Sequence, residues 1–368
     1  MKRFLKLLSI FAILAIVLTA CDESGVVESE AIEEEASQLE IMVTMFAQYD
    51  FASQIGGEFV NVQRLLPPGI DVHAYDPTPQ DIVAINEADL FIYTGHEMEP
   101  WVHRILDSLD SDDLTILDVS TGVNFLPWYG SLAHDHSHAH DDHDHSHDDN
   151  AHDDHDHSHD DDAHDHSHAH DDHNHSHDDD AHDHSHAHDD HDHSHDYDPH
   201  IWTSPINAIV MAENILEYLK MLMPEHSAYF EENAATLIAE LEELDQEFRD
   251  LMANTKRTII YHGGRFAMHY LMHEYGIEFI AAPMETDPGD NMALIARMIT
   301  EIEEYDIPVI FHEELVNPYT ANMIAAETGV QALMLHTIHN VSADEIAAGV
   351  TYVELQRQNI EVLRIALN

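Results

Sequence analysis

Residues 224–253 read PEHSAYFEENAATLIAELEELDQEFRDLMA, from Pro224 to Ala253, and the fold turns on them. Leu237, Leu241, Leu244 and Phe248 recur at three- and four-residue spacing among Glu and Asp, the pattern of an amphipathic helix. At 1.5 Å per residue, about 30 residues make a rod of roughly 45 Å. A rod of that length suits a strut, and the pattern predicts a connecting helix over 223–254 between lobes at 39–222 and 255–368. On its N-terminal side, Leu39–Phe46, Phe59–Leu65, Ala88–Tyr93 and Leu114–Val119 read as strands. Between them Phe51–Ile55, Pro79–Asn86 (capped by Thr78) and Trp101–Leu109 read as helices, and Asn207–Leu222 leads into the strut. Beyond it Thr258–Tyr261, Glu278–Ala281, Val309–Phe311 and Ala332–Leu335 alternate with helices at Phe266–Tyr275, Asn291–Tyr305, Tyr319–Thr328 and Tyr352–Ala366. Such alternation predicts an α/β fold: two lobes, each a parallel sheet flanked by helices, joined by one long helix.

The first lobe is interrupted by a repeat. Ala133–Asn150, Ala163–Asp180 and Ala181–Asp198 are near copies of one unit, and Ala151–Asp162 is a shortened copy. Between Ala133 and Asp198 there are 25 His and 24 Asp, with no Lys, Arg, Val, Ile, Leu, Phe or Met. A stretch without apolar side chains cannot offset its ordering entropy, so 133–198 is expected to be a disordered loop. Its chemistry is imidazole nitrogen and carboxylate oxygen at high density, the donors of borderline divalent metals. His134, His136, His138, His140, His191, His193 and His195, near its two ends, are candidates for loose metal collection.

Against 13 basic residues stand 73 acidic ones, a formal net charge of -60. Nucleic acid and anionic lipid surfaces are therefore poor partners and cations natural ones. Met1-Lys2-Arg3 followed by an apolar run from Leu7 to Val17 reads as a secretory signal over 1–20, short for a membrane span. The single cysteine, Cys21, follows Leu18-Thr19-Ala20, which resembles the lipobox of bacterial lipoproteins. That resemblance implies a lipidated Cys21 at a new N-terminus, a tether to the outer face of the cytoplasmic membrane, and an acidic linker over 21–38. One cysteine excludes an intramolecular disulfide and a multi-thiolate zinc site. Any metal here is held by His and carboxylate.

Outside the repeat, three histidines sit at loop or strand-end positions, where open α/β sheets present ligands. They are His73 in a Pro-rich loop, His200 in Asp-Pro-His-Ile-Trp, and His262 in Ile260-Tyr261-His262-Gly263-Gly264. With Pro67-Pro68-Gly69, Asp76-Pro77-Thr78-Pro79, the His-rich insertion, Asp198–Trp202, Pro224, Tyr229, Asn233, Leu244-Asp245 and Glu327-Thr328-Gly329, the chain from Leu39 onward resembles the zinc and manganese solute-binding lipoproteins of ABC transporters. The resemblance implies that His73, His200 and His262 are metal ligands. Many of those proteins carry Asp or Glu in the loop after the last strand, whereas this chain has Leu335-His336-Thr337-Ile338-His339-Asn340. Either His339 or His336 is the candidate fourth ligand, His339 slightly preferred. Manganese members tend to have Glu where His262 stands, so an imidazole-rich set implies Zn2+ as the transported ligand, with Mn2+ as the alternative.

The implied activity is capture of zinc outside the cytoplasm and delivery to an ABC transporter permease, by a monomer that is not an enzyme. Three His around one metal would also suit a secreted zinc hydrolase. The chain lacks a His-Glu-x-x-His helix, and His312-Glu313-Glu314 has no second His at the required spacing. A metal store or adhesin without a transporter is a further reading. His96 and His103 are read as structural or as lining the mouth of the site, and His269 and His273, four apart on one helix, as a metal pair or, by preference, a solvated or core-edge face.

Overall fold

The computed structural model describes residues 38–70, 72, 75–95, 97–109, 113–128, 197–282 and 288–368. Cys21, His73 and the repeat histidines His134, His136, His138, His140, His191, His193 and His195 lie outside the described residues, as does His96. Among the described residues no helix is long and apolar enough to cross a membrane.

The first lobe holds β1 (Leu39–Val43), α1 (Phe46–Gly56), β2 (Val60–Arg64), α2 (Pro79–Asn86), β3 (Leu90–Tyr93), α3 (Val102–Leu106) and β4 (Thr115–Asp118). Its strands are all parallel, in the order β2-β1-β3-β4. Two helices follow, α4 (Pro205–Leu222) and α5 (Ser227–Met252). The second lobe holds β5 (Ile259–His262), α6 (His269–Tyr275), β6 (Glu278–Ala281), α7 (Pro288–Glu304), β7 (Val309–His312), α8 (Tyr319–Thr328) and β8 (Gln331–Met334). Its order, β6-β5-β7-β8, again all parallel, repeats the first. Short α9 (Ala343–Ala348) and long α10 (Tyr352–Leu367) close the chain. In each sheet the strand order reverses at one place, between β1 and β3 and between β5 and β7. Side chains leaving the carboxyl ends of the strands converge at such a reversal.

The long helix obeys its apolar spacing. Phe230, Ala234, Leu237, Leu241, Leu244, Phe248 and Leu251 are all buried, and they belong to one apolar core that also takes in Val43, Ile92, Ile260 and Phe311 from both sheets. Its 26 residues are fewer than the sequence pattern implied, because Pro224–His226 form a separate 3-10 turn. There the His226 ring stacks on Phe59 with centroids 3.7 Å apart. Helix α2 begins where Thr78 was expected to cap it: Asp81 N donates to Thr78 Oγ1 and Thr78 N to Asp81 Oδ2 at 2.6 Å.

Two boundaries depart from the sequence reading for a physical reason. β1 stops at Val43 and α1 starts at Phe46, five residues before the expected helix. The Gln48 side chain folds back so that its Oε1 accepts from Thr44 N at 2.9 Å and Met45 N at 3.1 Å, capping the helix one turn early. The unforeseen α9 is started by a reciprocal cap, with Ser342 N donating to Glu345 Oε2 at 2.7 Å and Glu345 N to Ser342 Oγ at 3.2 Å.

α10 ties the lobes together. It packs on α5 and α1 and on strands β5 and β7. Tyr352 N donates to Asp50 Oδ2 at 2.9 Å, Tyr352 OH to Trp202 O at 2.6 Å, and Gln356 Nε2 to Thr203 O at 3.0 Å. Burial pushes the Asp50 carboxyl up to about 6 in spite of the bond from Tyr352. The C-terminal helix thereby holds the turn after His200 from beneath.

Candidate metal centre

β5 ends on His262, which places its side chain at the reversal of the second sheet, 1% exposed. The chain then passes so close to α8 that a Cβ on Gly263 would lie 2.7 Å from the Ala321 backbone, so only glycine fits. This turn lets the Gly264 carbonyl face back to His262 Nδ1 at 3.1 Å. A carbonyl only accepts, so Nδ1 carries the ring proton and Nε2 the lone pair. Burial pushes the His262 pKa down to about 4, against the Gly264 carbonyl and with help from His312.

His200 is held by the residue two before it. Asp198 Oδ1 accepts from His200 N at 2.9 Å and from His200 Nδ1 at 2.8 Å, both residues 1% exposed. Burial alone would raise the Asp198 carboxyl, but the His200 ring beside it, which attracts the carboxylate when protonated, and the hydrogen bonds from His200 and His269 outweigh it and hold the group well below the usual range. An ionised carboxylate has no proton to give, so His200 too carries its proton on Nδ1 and its lone pair on Nε2. Tyr270 OH donates to Asp198 O at 2.8 Å and accepts from Leu126 N at 3.1 Å, fixing the Asp198 backbone to the strand-like segment before Trp128.

That segment meets the residues that follow the repeat in sequence. Pro127 and Tyr197 form an antiparallel bridge, Phe125 and Tyr197 pack with ring centroids 5.5 Å apart, and Trp128 stacks near His200 at 6.2 Å. Trp128 and Tyr197, which flank 129–196 in sequence, are thus both held close to His200.

The loop after β8 presents its two histidines differently. Ile338 is buried at φ 61, a left-handed backbone that a β-branched residue adopts only when its surroundings impose it. Trp202 Nε1 donates to Thr337 O at 2.9 Å, drawing the loop against the His200 turn. His339 then meets His200 edge to face, with centroids 5.0 Å apart, and Trp202 at 5.1 Å. Its Nδ1 contacts the Thr337 hydroxyl. His336 is committed elsewhere. Its backbone N and O bond the Asn359 amide at 2.7 and 2.8 Å, and its Nδ1 accepts from Ile338 N at 3.0 Å. The His336 proton is therefore on Nε2, which faces Glu345 Oε1 at 3.6 Å. His336, against the opposing effect of burial, pulls the Glu345 carboxyl down to about 2.

Asn340 fastens this loop to the first lobe. Its Nδ2 donates to Pro67 O at 2.7 Å and Ile70 O at 3.0 Å, and its Oδ1 accepts from Arg64 at 3.1 Å. Gly69 N adds a bond to Val341 O at 3.0 Å. Ile70 and Val72 from this Pro-rich segment line one small cavity with His339, Arg265, Glu313 and Glu314. His73 follows directly in sequence. Among the described residues no three His, Cys, Asp or Glu side chains are placed as a metal cluster. The structure brings His200 and His339 together and puts His262 at the end of β5, while His336 is built into the second lobe.

Of the other histidines, His269 is half-buried with Nδ1 3.6 Å from Asp198 Oδ2, and His273 is exposed. Sequence reasoning passed over Asn340, Glu314, Thr337 and Trp128. Only the pair Trp128 and Trp202, flanking the repeat, carried a signal that both its ends sit at one place.

A family model described as zinc-uptake complex component A, periplasmic (ZnuA), matches residues 41–366. The zinc-binding lipoprotein AdcA of Streptococcus pneumoniae strain R6 is 24% identical over 367 residues, covering 99% of this chain and 61% of that protein. The high-affinity zinc uptake system protein ZnuA of Bacillus subtilis strain 168 is 27% identical over 369 residues, covering 99% of this chain and 98% of that protein. The chain thus spans less than two thirds of the first relative's length and nearly all of the second's. Among solved structures, the Zn(II)-bound ZnuA-like domain of Streptococcus pneumoniae AdcA superposes with a TM-score of 0.65 at 22% identity, covering 90% of this chain and 99% of that one. At that identity the likeness establishes the two-lobed fold.

The His262 environment predicts a pH effect on the metal-free protein. Its folded pKa of about 4 lies below the ordinary 6.5. Between those values the unfolded chain takes up a proton that the folded chain refuses, so this contribution is full above 6.5 and is lost as pH falls toward 4. The loss should be on the order of 2 kcal/mol by pH 4.5. Denaturant unfolding at pH 7 and pH 4.5 checks it: wild type should lose more than His262→Gln, and equal losses would contradict the assignment.

Proposed function

The chain belongs to the zinc-uptake complex component A family, and from that premise we propose that it is an extracytoplasmic solute-binding protein that captures zinc and hands it to an ABC transporter permease. One observation carries the reading: His200 and His339 come from different elements, face each other at 5.0 Å, and His200 already has its inner nitrogen engaged by Asp198 at 2.8 Å. His262 has its inner nitrogen engaged in the same way by Gly264 at 3.1 Å. Imidazoles held like this present Nε2 lone pairs without reorganising, the arrangement in which a metal-ligating His gives its other N–H to a carboxylate or carbonyl. In this reading His73 completes a four-imidazole site with His200, His262 and His339, and zinc sits about 2.0–2.1 Å from each nitrogen in near-tetrahedral geometry. Oxygen-preferring Mn2+ is the poorer match to such a donor set. The names of AdcA and ZnuA, both zinc proteins, support the same cargo.

The chain's own groups perform capture in stages. The repeat collects hydrated cations through exchangeable imidazoles and carboxylates, raising their concentration beside His200, where Trp128 and Tyr197 anchor its ends. The cleft imidazoles then replace the metal's water. With Asn340 and α10 binding the lobes together, release is a matter of loop rearrangement more than lobe opening. In the proposal Cys21 is the lipid anchor on the outer face of the membrane, motivated by Leu18-Thr19-Ala20-Cys21. A Cys21→Ala chain should leave the membrane fraction, and unchanged attachment would defeat the anchor.

The ligand set is tested by zinc competition titrations on a chain lacking 133–196, which keeps Asp198 on His200. His73→Ala, His200→Ala, His262→Ala and His339→Ala should each weaken binding steeply, whereas His336→Ala should lower stability and leave affinity nearly intact. Tight binding of one zinc after His73, His200 and His262 are all replaced would end this reading.

The repeat is tested by stoichiometry. Its removal should cut the number of zinc ions bound per chain sharply and leave one tight site. Acidification to pH 5.5 should strip the repeat first, because imidazole must be neutral to bind a metal and its reference pKa is about 6.5. His262, with its pKa near 4, stays neutral there. An unchanged stoichiometry after deletion would refute the collector role.

A further inference from the structure

What holds the inner nitrogen of His339 differs in kind from what holds His200 and His262. A carboxylate and a carbonyl can only accept, but the partner of His339 is the Thr337 hydroxyl, which can donate or accept. The hydroxyl has one proton, and Glu314 takes it. Thr337 Oγ1 donates to Glu314 Oε1 at 2.6 Å while Thr337 N donates to Glu314 Oε2 at 2.8 Å, all within the buried interior. Toward His339 the hydroxyl is left only its acceptor role, so the ring proton must sit on Nδ1 and the lone pair on Nε2. Three residues earlier in the same loop, His336 accepts at Nδ1 from Ile338 N at 3.0 Å and carries the opposite tautomer.

We propose that Glu314 and Thr337 are a positioning pair that makes His339 a metal ligand. Glu314, 4.0 Å from His339 Nδ1, acts through one hydroxyl to keep the proton on the inner nitrogen. The pair does a second job that follows from charge. Four neutral imidazoles leave the two positive charges of zinc uncompensated, and the buried carboxylates of Asp198 and Glu314 stand directly behind two of the ligands. Where a carboxylate ligand would place its charge on the metal, this chain places it one hydroxyl away. The proposal rests on the reading of His339 as a ligand.

Glu314→Gln keeps the side chain's shape and reverses its polarity. Its carbonyl still accepts from Thr337 N, its amide donates to Thr337 Oγ1, and the hydroxyl then turns its proton onto His339 Nδ1, driving the ring proton to Nε2. Thr337→Val removes the hydroxyl, and Thr337→Ser keeps it. The full chain, 15N-labelled at histidine, metal-free and at pH 8 where imidazole is neutral, reports the tautomer through ring nitrogen shifts. The His339 signals are those lost in His339→Gln. Wild type and Thr337→Ser should show Nδ1–H, and Glu314→Gln should show Nε2–H. In zinc competition titrations Glu314→Gln and Thr337→Val should bind about 10- to 100-fold more weakly, with Thr337→Ser close to wild type. An Nε2–H ring in wild type would overturn the proposal. So would wild-type affinity in both Glu314→Gln and Thr337→Val while His339→Gln is weakened. Wild-type affinity in His339→Gln would instead remove the ligand reading, and this proposal with it.

Discussion

An imidazole taken out of water must spend at least one nitrogen on the protein, and the architecture around His200, His262 and His339 is built to meet that demand. Each acceptor comes from a different level of structure. Asp198 reaches His200 across two residues of a Pro-stiffened turn. Gly264 reaches His262 only because Gly263 lets the strand end press against α8. Thr337 reaches His339 because Ile338 is forced into a left-handed turn. Burial makes these arrangements matter: it favours the neutral, metal-competent ring at His262 and penalises any nitrogen left without a partner.

Those local devices would be of little use on lobes that drift. A single apolar core runs from the first sheet through α5 to the second, and α10 crosses back to hold Trp202 and Thr203 by their carbonyls. Asn340 adds a polar fastening between the loop after β8 and the first lobe, with every hydrogen-bonding site of its amide engaged. A buried amide whose donors and acceptors are all used rigidifies its surroundings, and the Pro67–Ile70 segment becomes an extension of the His339 loop. The charged pairs along α5, such as Arg249 with Asp245 and Glu274, lie at the surface and contribute little beside this.

Charge organises the outside as hydrogen bonding organises the inside. With 13 basic residues in the whole chain, the protein attracts cations from every direction and repels polyanions. The densest acidic and imidazole segment is flanked in sequence by Trp128 and Tyr197, and the described residues Pro127, Trp128 and Tyr197 lie close to one another and to His200. The exposed carboxylates attract cations without selecting among them.

Much of this was legible before any coordinates. Apolar spacing at Leu237, Leu241, Leu244 and Phe248 announced the connecting helix, and alternating apolar runs announced two parallel sheets, because periodicity records burial directly. The Thr78-Pro79 start of α2 was legible because a cap is a local event, whereas the early start of α1 was hidden in Gln48, a residue with no strong capping habit. His200 and His262 stood out by their place at turn and strand ends. The choice between His336 and His339 did not. Both are histidines in one eight-residue loop, equal in sequence, and the difference between them is which atoms from other segments, Asn359 and Glu345 for one, His200 and Trp202 for the other, arrive at each residue. Sequence by itself determined which residue types were available and at what spacing. Only the tertiary structure decided where the proton on His339 sits: the partner of its ring, Thr337, is two residues away, but the role of that hydroxyl is set by Glu314, 23 positions from Thr337, which only the folded chain brings to it.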